Sequence, residues 1–507
     1  MSKQPFIAPR SLGGRDDRGD KSTARGQIFD DSPAHSRRYG PRIGGKMDRA
    51  DGFAARSASA AQAPRLAGLA FAALSVAVAG ALVSPVASAS GFQINEDTAQ
   101  ALGRAYAGRE AAGNDASVVI NNPAAMVDFN TYAVQLDATA INVSTQFHGS
   151  GTDAIGQPLS GGDGGNGGGV YGVPAISFIA PIAQNWRLGL GINAPFGLET
   201  QYDANWMGRY QTIKSTVKSM DVTGSVAWAI NPQFSLGFSV IAQKTTIDLS
   251  NAVNFGAILA APPFNLAPTF LPQSADGTAE VRGNNWKWGW QIGAEWKPTT
   301  QDTLALNYHA KINHHINGHA DFTVPQGVQS VFTQAQLPLF QNTAASGQFA
   351  TPAMASLSYW HKTLGPVSWG AELSWTGWSS FSHLAIDFAN PYQPGIDQYY
   401  GWRNTWFGSL GMDYKLSDAW TLRGGLAFDQ TPTRDFSRDP RIPDGARKWI
   451  SIGAGYSPSS NVELDIGYTH LFVDNGSVND ISATGDTLVG TFDNSGDLLG
   501  ISMQYKF

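Results

Sequence analysis

A chain of 507 residues with no cysteine offers no disulfide framework, thiolate metal site or cysteine nucleophile. Its charged fraction of 15% lies well below the roughly one quarter typical of a soluble domain, and its length suits several domains or one large barrel. The net charge of −6 argues against a nucleic-acid partner, because phosphate binding needs a basic face.

Residues 1–89 read as an N-terminal extension followed by a signal peptide. The chain is polar and basic up to Arg65, apolar from Leu66 to Val83, and then carries Ala87-Ser88-Ala89. A basic flank, an apolar run and a small-residue cleavage site are the layout of an exported protein. The run has about the minimum length to span a bilayer, so an uncleaved anchor is the alternative. Met47 is expected to be the true start, since a normal leader would begin there.

Residues 90–130 read as a plug. They follow the export signal and precede the first strand, so they lie below a barrel or inside it. The small-residue stretch 97–112 is expected to form a short, closely packed helix. In Val118-Val119-Ile120-Asn121-Asn122-Pro123-Ala124, Asn122 suits a helix N-cap and Pro123 the first helical position.

From 131 to 507 the pattern is alternation with a period of two. Leu499, Ile501, Met503, Tyr505 and Phe507 share one face, while Gly500, Ser502, Gln504 and Lys506 share the other. The second face is rich in Gly, Ser, Thr, Asn and isolated charges. Aromatic residues mark strand ends, at Trp186, Trp228, Trp296, Trp369, Trp375, Trp420 and Tyr456. Lipid outside, a polar lumen and aromatic girdles are the signs of an all-β transmembrane barrel of the bacterial outer membrane. Strands are expected near 131–145, 171–181, 185–194, 218–230, 233–249, 284–297, 302–317, 352–363, 366–377, 403–415, 419–430, 446–457, 460–473 and 496–507, about fourteen antiparallel strands. Short turns alternate with long loops, which places the long loops outside the cell.

Two of those outer loops are unexpectedly apolar. The one near 250–283 carries Phe255, Ile258, Leu259, Phe264 and Phe270, and the one near 319–350 carries Val328, Phe332, Leu337 and Phe340. Apolar side chains at solvent-facing tips mark a binding site, unless the loops merely pack on each other. Other chemistry is weakly signalled. His314 and His315 would point to opposite sides of a strand, so no metal site is assigned. No cofactor is expected and no enzyme nucleophile stands out.

Several stretches resemble the FadL-type outer-membrane transporters of long-chain fatty acids and other hydrophobic compounds. They are Ser90-Gly91-Phe92-Gln93, LGRAYAG, Asn122-Pro123-Ala124, 194–210, LSNAVNF at 249–255, 283–296, 373–381 and RIPDGARKW at 441–449. The resemblance implies a fourteen-stranded barrel closed by an N-terminal hatch, with Phe92 in an internal pocket. It also implies a ligand groove between the two apolar loops and a kink in the third strand, near Pro195-Phe196-Gly197, that opens the wall sideways. For a ligand carboxylate no cation matches the family, and Lys244, Lys311 and Arg423 are candidates from inward phase alone. The expected function is passive uptake of a hydrophobic small molecule, foremost long-chain fatty acids, by a monomer in outer-membrane lipid. Uptake of aromatic hydrocarbons, or a surface adhesin or structural porin, are the alternatives.

Overall fold

The computed structural model describes residues 91–507. The signal-peptide and start-site readings lie outside the described residues. The sheet closes on itself: β1 (Ala133–Thr152) pairs antiparallel with the last strand, β20 (Thr487–Lys506), from Ala133↔Lys506 to Thr152↔Thr487. Between them come β2 (Val170–Ala183), β3 (Trp186–Asn193), β4 (Gly197–Gln201), β5 (Lys214–Asn231), β6 (Phe234–Asn254) and β7 (Asp276–Trp296). The wall continues through β8 (Asp302–His309), β9 (Ile312–Thr323), β10 (Thr343–Thr351), β11 (Met354–Lys362), β12 (Val367–Thr376) and β13 (His383–Phe388). It is completed by β14 (Ile396–Tyr399), β15 (Thr405–Lys415), β16 (Trp420–Asp429), β17 (Arg447–Ser459), β18 (Val462–Val473) and β19 (Gly476–Ile481).

Six wall strands are interrupted, as β3/β4, β8/β9, β10/β11, β12/β13, β14/β15 and β18/β19, so the described wall has fourteen antiparallel strands. Each of the fourteen expected stretches falls on one of them. The strands run further than expected at their outer ends, where β6 reaches Asn254 and β20 begins at Thr487. Those ends project past the hydrocarbon and lack the apolar alternation that betrays a lipid-facing strand.

The outward face is apolar, with Leu190, Phe238, Leu306, Leu410, Ile452 and Leu499 exposed on it. Near the periplasmic turns, Trp186 stacks on Trp228 at 5.7 Å and Trp420 lies 4.7 Å from Tyr456. The inward face of the lower barrel is polar and buried, as at Gln135, Ser225, Ser239, Gln291, Ser356, Arg423 and Gln504. What buries it is the chain's own segment 91–130.

Candidate functional site

Segment 91–130 is helical only at Ala99–Leu102 and Val118–Asn121, with a 3-10 helix at Pro123–Asp128. The helix expected over 97–112 stops early, because Ala105, Tyr106 and Gly108 adopt left-handed backbone with φ of 54°, 62° and 64°. That turn brings backbone against backbone: a Cβ on Gly425 would lie 2.2 Å from Arg104 O, and one on Gly411 2.4 Å from it. Small residues on both partners make this approach possible.

The Asn122-Pro123-Ala124 turn is built as its residue types dictate. Asn122 Oδ1 accepts from the Ala124 amide at 3.1 Å, and Pro123 opens the 3-10 helix. The Asn122 amide group donates to Leu306 O at 3.2 Å and to Glu110 Oε2 at 3.3 Å. Ser235 Oγ donates to Ala124 O at 3.1 Å. Glu110 also accepts from Ser356 Oγ at 2.5 Å, so one carboxylate ties the early half of the segment to its later half and to β11. At the periplasmic end Arg187 donates to Phe129 O at 2.5 Å and to Asn130 Oδ1 at 3.0 Å.

The third wall strand is broken at 194–196. β2 pairs with β3 as far as Ile176↔Ile192, and β4 pairs with β5 from Gly197↔Lys218 to Gln201↔Lys214. Among the described residues no ladder joins β4 to residues 170–175 of β2. Tyr171 Oη donates to Glu199 O at 3.4 Å, and the Gln201 amide donates to Gly167 O at 2.9 Å above it. Pro195 has no amide hydrogen to extend the ladder. Residues 92–94 cover this break from inside: Gly197 donates to Phe92 O at 2.7 Å, Ile94 donates to Pro195 O at 2.8 Å, and Gln93 forms an antiparallel bridge with Phe196. Phe92, Pro195, Phe196 and Gly197, named separately from the sequence, therefore meet.

Phe92 is fully buried among Phe196, Phe349, Trp378, Phe381 and Trp402, with ring centroids 4.4 to 6.0 Å away. Two adjoining cavities of about 350 and about 390 Å³ start at this cage and run toward the outer loops, sharing Ile247, Leu249, Phe349 and Leu384. Above them Phe322 touches Phe388 at 6.0 Å and Phe340 at 5.6 Å. Phe340 belongs to the loop cluster, where Phe255, Leu259, Val328 and Phe332 are buried and Ile258, Phe264 and Phe270 are half-buried. The helix Gln326–Gln334 presents Val328 and Phe332 to the helix Phe255–Ala260. Leu337 donates its amide to Phe332 O at 2.9 Å beside them. The two apolar loops thus pack on each other, and apolar contacts continue from their seam to the broken strand.

The lysine candidates need correction. Lys244 shares the phase of the exposed Phe238 and Val240, and Lys311 alternates with the buried Ile312, so both lie on the outer face of the wall. The break between β8 and β9 flips the phase at Lys311, whereas Lys244 lies on the unbroken β6 and simply has the phase of its lipid-facing neighbours. Arg423 is inward but committed, to Asp465 at 2.5 Å and Glu463 at 3.4 Å. A cation beside the Phe92 cage is Arg441, which lines the cavity with Phe92 and Tyr400, while Arg282 borders the adjoining cavity. Arg441 sits in the stretch 441–449, beside Asp439 at 2.7 Å. Sequence reasoning also missed the cage residues Trp378, Phe381 and Trp402.

Below the cage the lumen is polar, with a cavity of about 650 Å³ lined by Asn95, Asp97, Arg109, Asp221 and Gln291 among others. Burial pushes Glu96 up to about 7, opposed by Arg447 and reinforced by Asp97; burial likewise pushes Asp97 up to about 6. A carboxyl whose pKa is raised on docking favours the docked state fully below its free value of 4.5, and that contribution is lost as pH rises to about 7. Segment 91–112 is therefore expected to exchange amide hydrogens faster at pH 8 than at pH 5, after correction for intrinsic rates. Glu96→Gln should reduce the dependence, leaving the share due to Asp97; a wild-type profile already flat across that range would remove this role for Glu96.

A closed, internally occupied barrel with an apolar compartment ending at a broken wall strand defines an outer-membrane transport barrel for hydrophobic compounds. Residues 80–507 match the model of the outer membrane protein transport family (OMPP1/FadL/TodX), and the chain belongs to it. A long-chain fatty acid transport protein of Salmonella typhi is 27% identical over 78% of this chain and 90% of its own. The crystal structure of a Pseudomonas aeruginosa FadL homologue superposes with a TM-score of 0.78 at 31% identity, covering 82% of this chain and all of that one (100%). The Ralstonia pickettii toluene transporter TbuX, at 18% identity and a TM-score of 0.58, shares the fold over 82% of this chain and 99% of its own.

Proposed function

We propose that this protein takes up long-chain fatty acids passively and releases them sideways through the break at 194–196. The carrying observation is the apolar compartment that ends beside the Gln93↔Phe196 bridge. A fatty acid adsorbs at the loop seam formed around Phe255, Phe264, Phe332 and Phe340, passes Phe322 and Phe388, and enters the compartment tail-extended. Residues 91–95 then leave the break, and the ligand exits into lipid without crossing the polar lumen. No energy source is needed, but the ligand must bind the displaced state more tightly than the docked one to shift the population.

Within this reading Arg441 receives the carboxylate. Its guanidinium keeps donors beyond the one given to Asp439. Removing one charge-assisted hydrogen bond is worth about 1.5–3 kcal/mol. Arg441→Gln is therefore expected to weaken oleate binding by about ten- to a hundredfold while leaving toluene binding unchanged. Isothermal titration on the purified barrel checks it. Equal oleate affinity in both proteins would reject the carboxylate role, and wild-type binding of toluene without oleate would move the reading to aromatic hydrocarbons.

A further inference from the structure

Among the other interruptions of the wall, the one between β8 and β9 leaves an unladdered edge distinct from the break at 194–196. β7 pairs with β8 from Trp296↔Leu304 to Gln291↔His309 and with β9 from Asn284↔Asn317 outward. Residues 285–290 of β7 stay laddered to β6, but among the described residues no ladder pair joins them to β8 or β9, and a single backbone bond, Ala310 N to Trp290 O at 3.0 Å, crosses that edge. The cause is an inward shift of β9. Ile312 occupies the space above Gly289, where a Cβ would lie 2.3 Å from its Cδ1. His314 reaches past β7 to Gln243 Oε1 at 2.9 Å and Thr245 Oγ1 at 3.2 Å on β6. On the outer side this leaves a notch in the barrel surface.

Two lysines flank it on the outer face. Lys311 is exposed and Lys244, the cross-strand partner of Trp286, is half-exposed, whereas Lys287, the partner of the buried Gln243, points into the lumen. Among the described residues neither Lys244 nor Lys311 has an ion pair or side-chain hydrogen bond, whereas nearby Arg282 is committed to Glu280 and Asp248. Trp288, 76% exposed, and Trp286, 49% exposed, stand on the same outward face.

The height of the notch decides what covers it. Trp296 lies at the periplasmic girdle, and Trp286 is ten residues further along β7. At a rise of about 3.3 Å per residue and a tilt of about 40°, that is about 25 Å, the full apolar band of such a barrel. The notch therefore meets the outer leaflet where hydrocarbon gives way to headgroups. Unladdered backbone groups and unpaired ammonium groups are not stable in hydrocarbon and need polar partners there. A phosphate accepts from both backbone N–H and lysine, and tryptophan favours the interface level.

We propose that this notch docks a phosphate-bearing lipid headgroup of the outer leaflet, with Lys244 and Lys311 as its cationic contacts and Trp286 and Trp288 against its acyl–headgroup boundary. The site faces the surrounding membrane and is independent of the transport path.

The test uses the whole protein, purified in detergent, and native mass spectrometry with a bisphosphorylated acylated glucosamine disaccharide. At about 1 kcal/mol per cation near such a surface, Lys244→Gln/Lys311→Gln should weaken binding by about tenfold or more. Removing the phosphates from the lipid should weaken wild-type binding similarly and the double variant no further. Unchanged affinity in the double variant, or equal wild-type binding of phosphorylated and dephosphorylated lipid, overturns the proposal. Heat-modifiable gel mobility reports assembly; should the double variant not assemble, Lys311→Gln alone replaces it, and wild-type affinity in that variant is equally decisive against the site.

Discussion

Oxidation of a Gln93→Cys/Phe196→Cys variant is expected to abolish uptake of labelled oleate by cells, and reduction to restore it. Residues 93 and 196 face each other as an antiparallel bridge pair. Such pairs place Cα atoms about 4.5–5.5 Å apart, within the span that a disulfide tolerates. The chain contains no cysteine of its own, so a crosslink can form only where it is introduced. If residues 92–94 must leave the break for ligand to pass, locking them in place removes the displaced state altogether. Uptake should fall at least about tenfold with the oxidised fraction near 90%, because only uncrosslinked molecules can reach that state. The reduced form of the same variant controls for the lost Phe196 ring. Undiminished uptake by the oxidised protein would mean that ligand leaves by another route and that the hatch is passive filler.

Substitution of two inward glycines should produce the opposite phenotype, a leak. A Cβ on Gly293 would lie 2.0 Å from Asn122 Oδ1, and one on Gly237 2.3 Å from the Ala124 amide nitrogen. Neither obstacle is the free end of a flexible side chain. Asn122 is pinned by its bonds to Leu306 O and Ala124, and the other contact is backbone. Overpacking of this kind costs about 1–3 kcal/mol, occasionally more, and here it falls on the Asn122-Pro123-Ala124 turn rather than on the ladder. Gly237→Val/Gly293→Val is expected to assemble, since valine suits a strand. It should nonetheless show several-fold higher conductance in planar bilayers and greater cellular sensitivity to large polar antibiotics. Normal assembly with wild-type conductance would show that the turn relaxes around the new side chains and that its tight seat does not hold the lumen shut.

Much of the wall was legible because lipid imposes a stark rule on alternate residues. Leu499, Ile501 and their counterparts must be apolar wherever they face hydrocarbon, and that constraint survives in a single sequence. The turn at Asn122-Pro123 was legible for a local reason, since the residue types prescribe cap and first helical position. The rest depends on contacts between distant residues. Nothing near Phe92 announces that Trp378, Phe381 and Trp402 will surround it, and Gly237 and Gly293 look like ordinary strand glycines until Asn122 and Ala124 are placed against them. Lys311 failed because inward phase cannot be counted across an interrupted ladder, and the shift at 310–311 is invisible in composition, whereas Lys244 on the unbroken β6 carried the outward phase of Phe238 and Val240 all along. Arg441 was overlooked although its stretch was singled out, because its value lies in the apolar cavity that other strands build around it.

The interior is divided: a polar lower lumen filled by segment 91–130, and an apolar upper compartment that runs from the loop seam to the broken strand. A water-filled pore sorts solutes by diameter, so widening it to admit a long acyl chain would also admit every nutrient, toxin and detergent of lesser girth. On the proposed route the passage is oily and turns aside above a wet, ion-paired stopper. A solute would then be admitted for the solvent it prefers rather than for its size, and the cell could take in greasy molecules without surrendering the barrier that its outer membrane exists to keep.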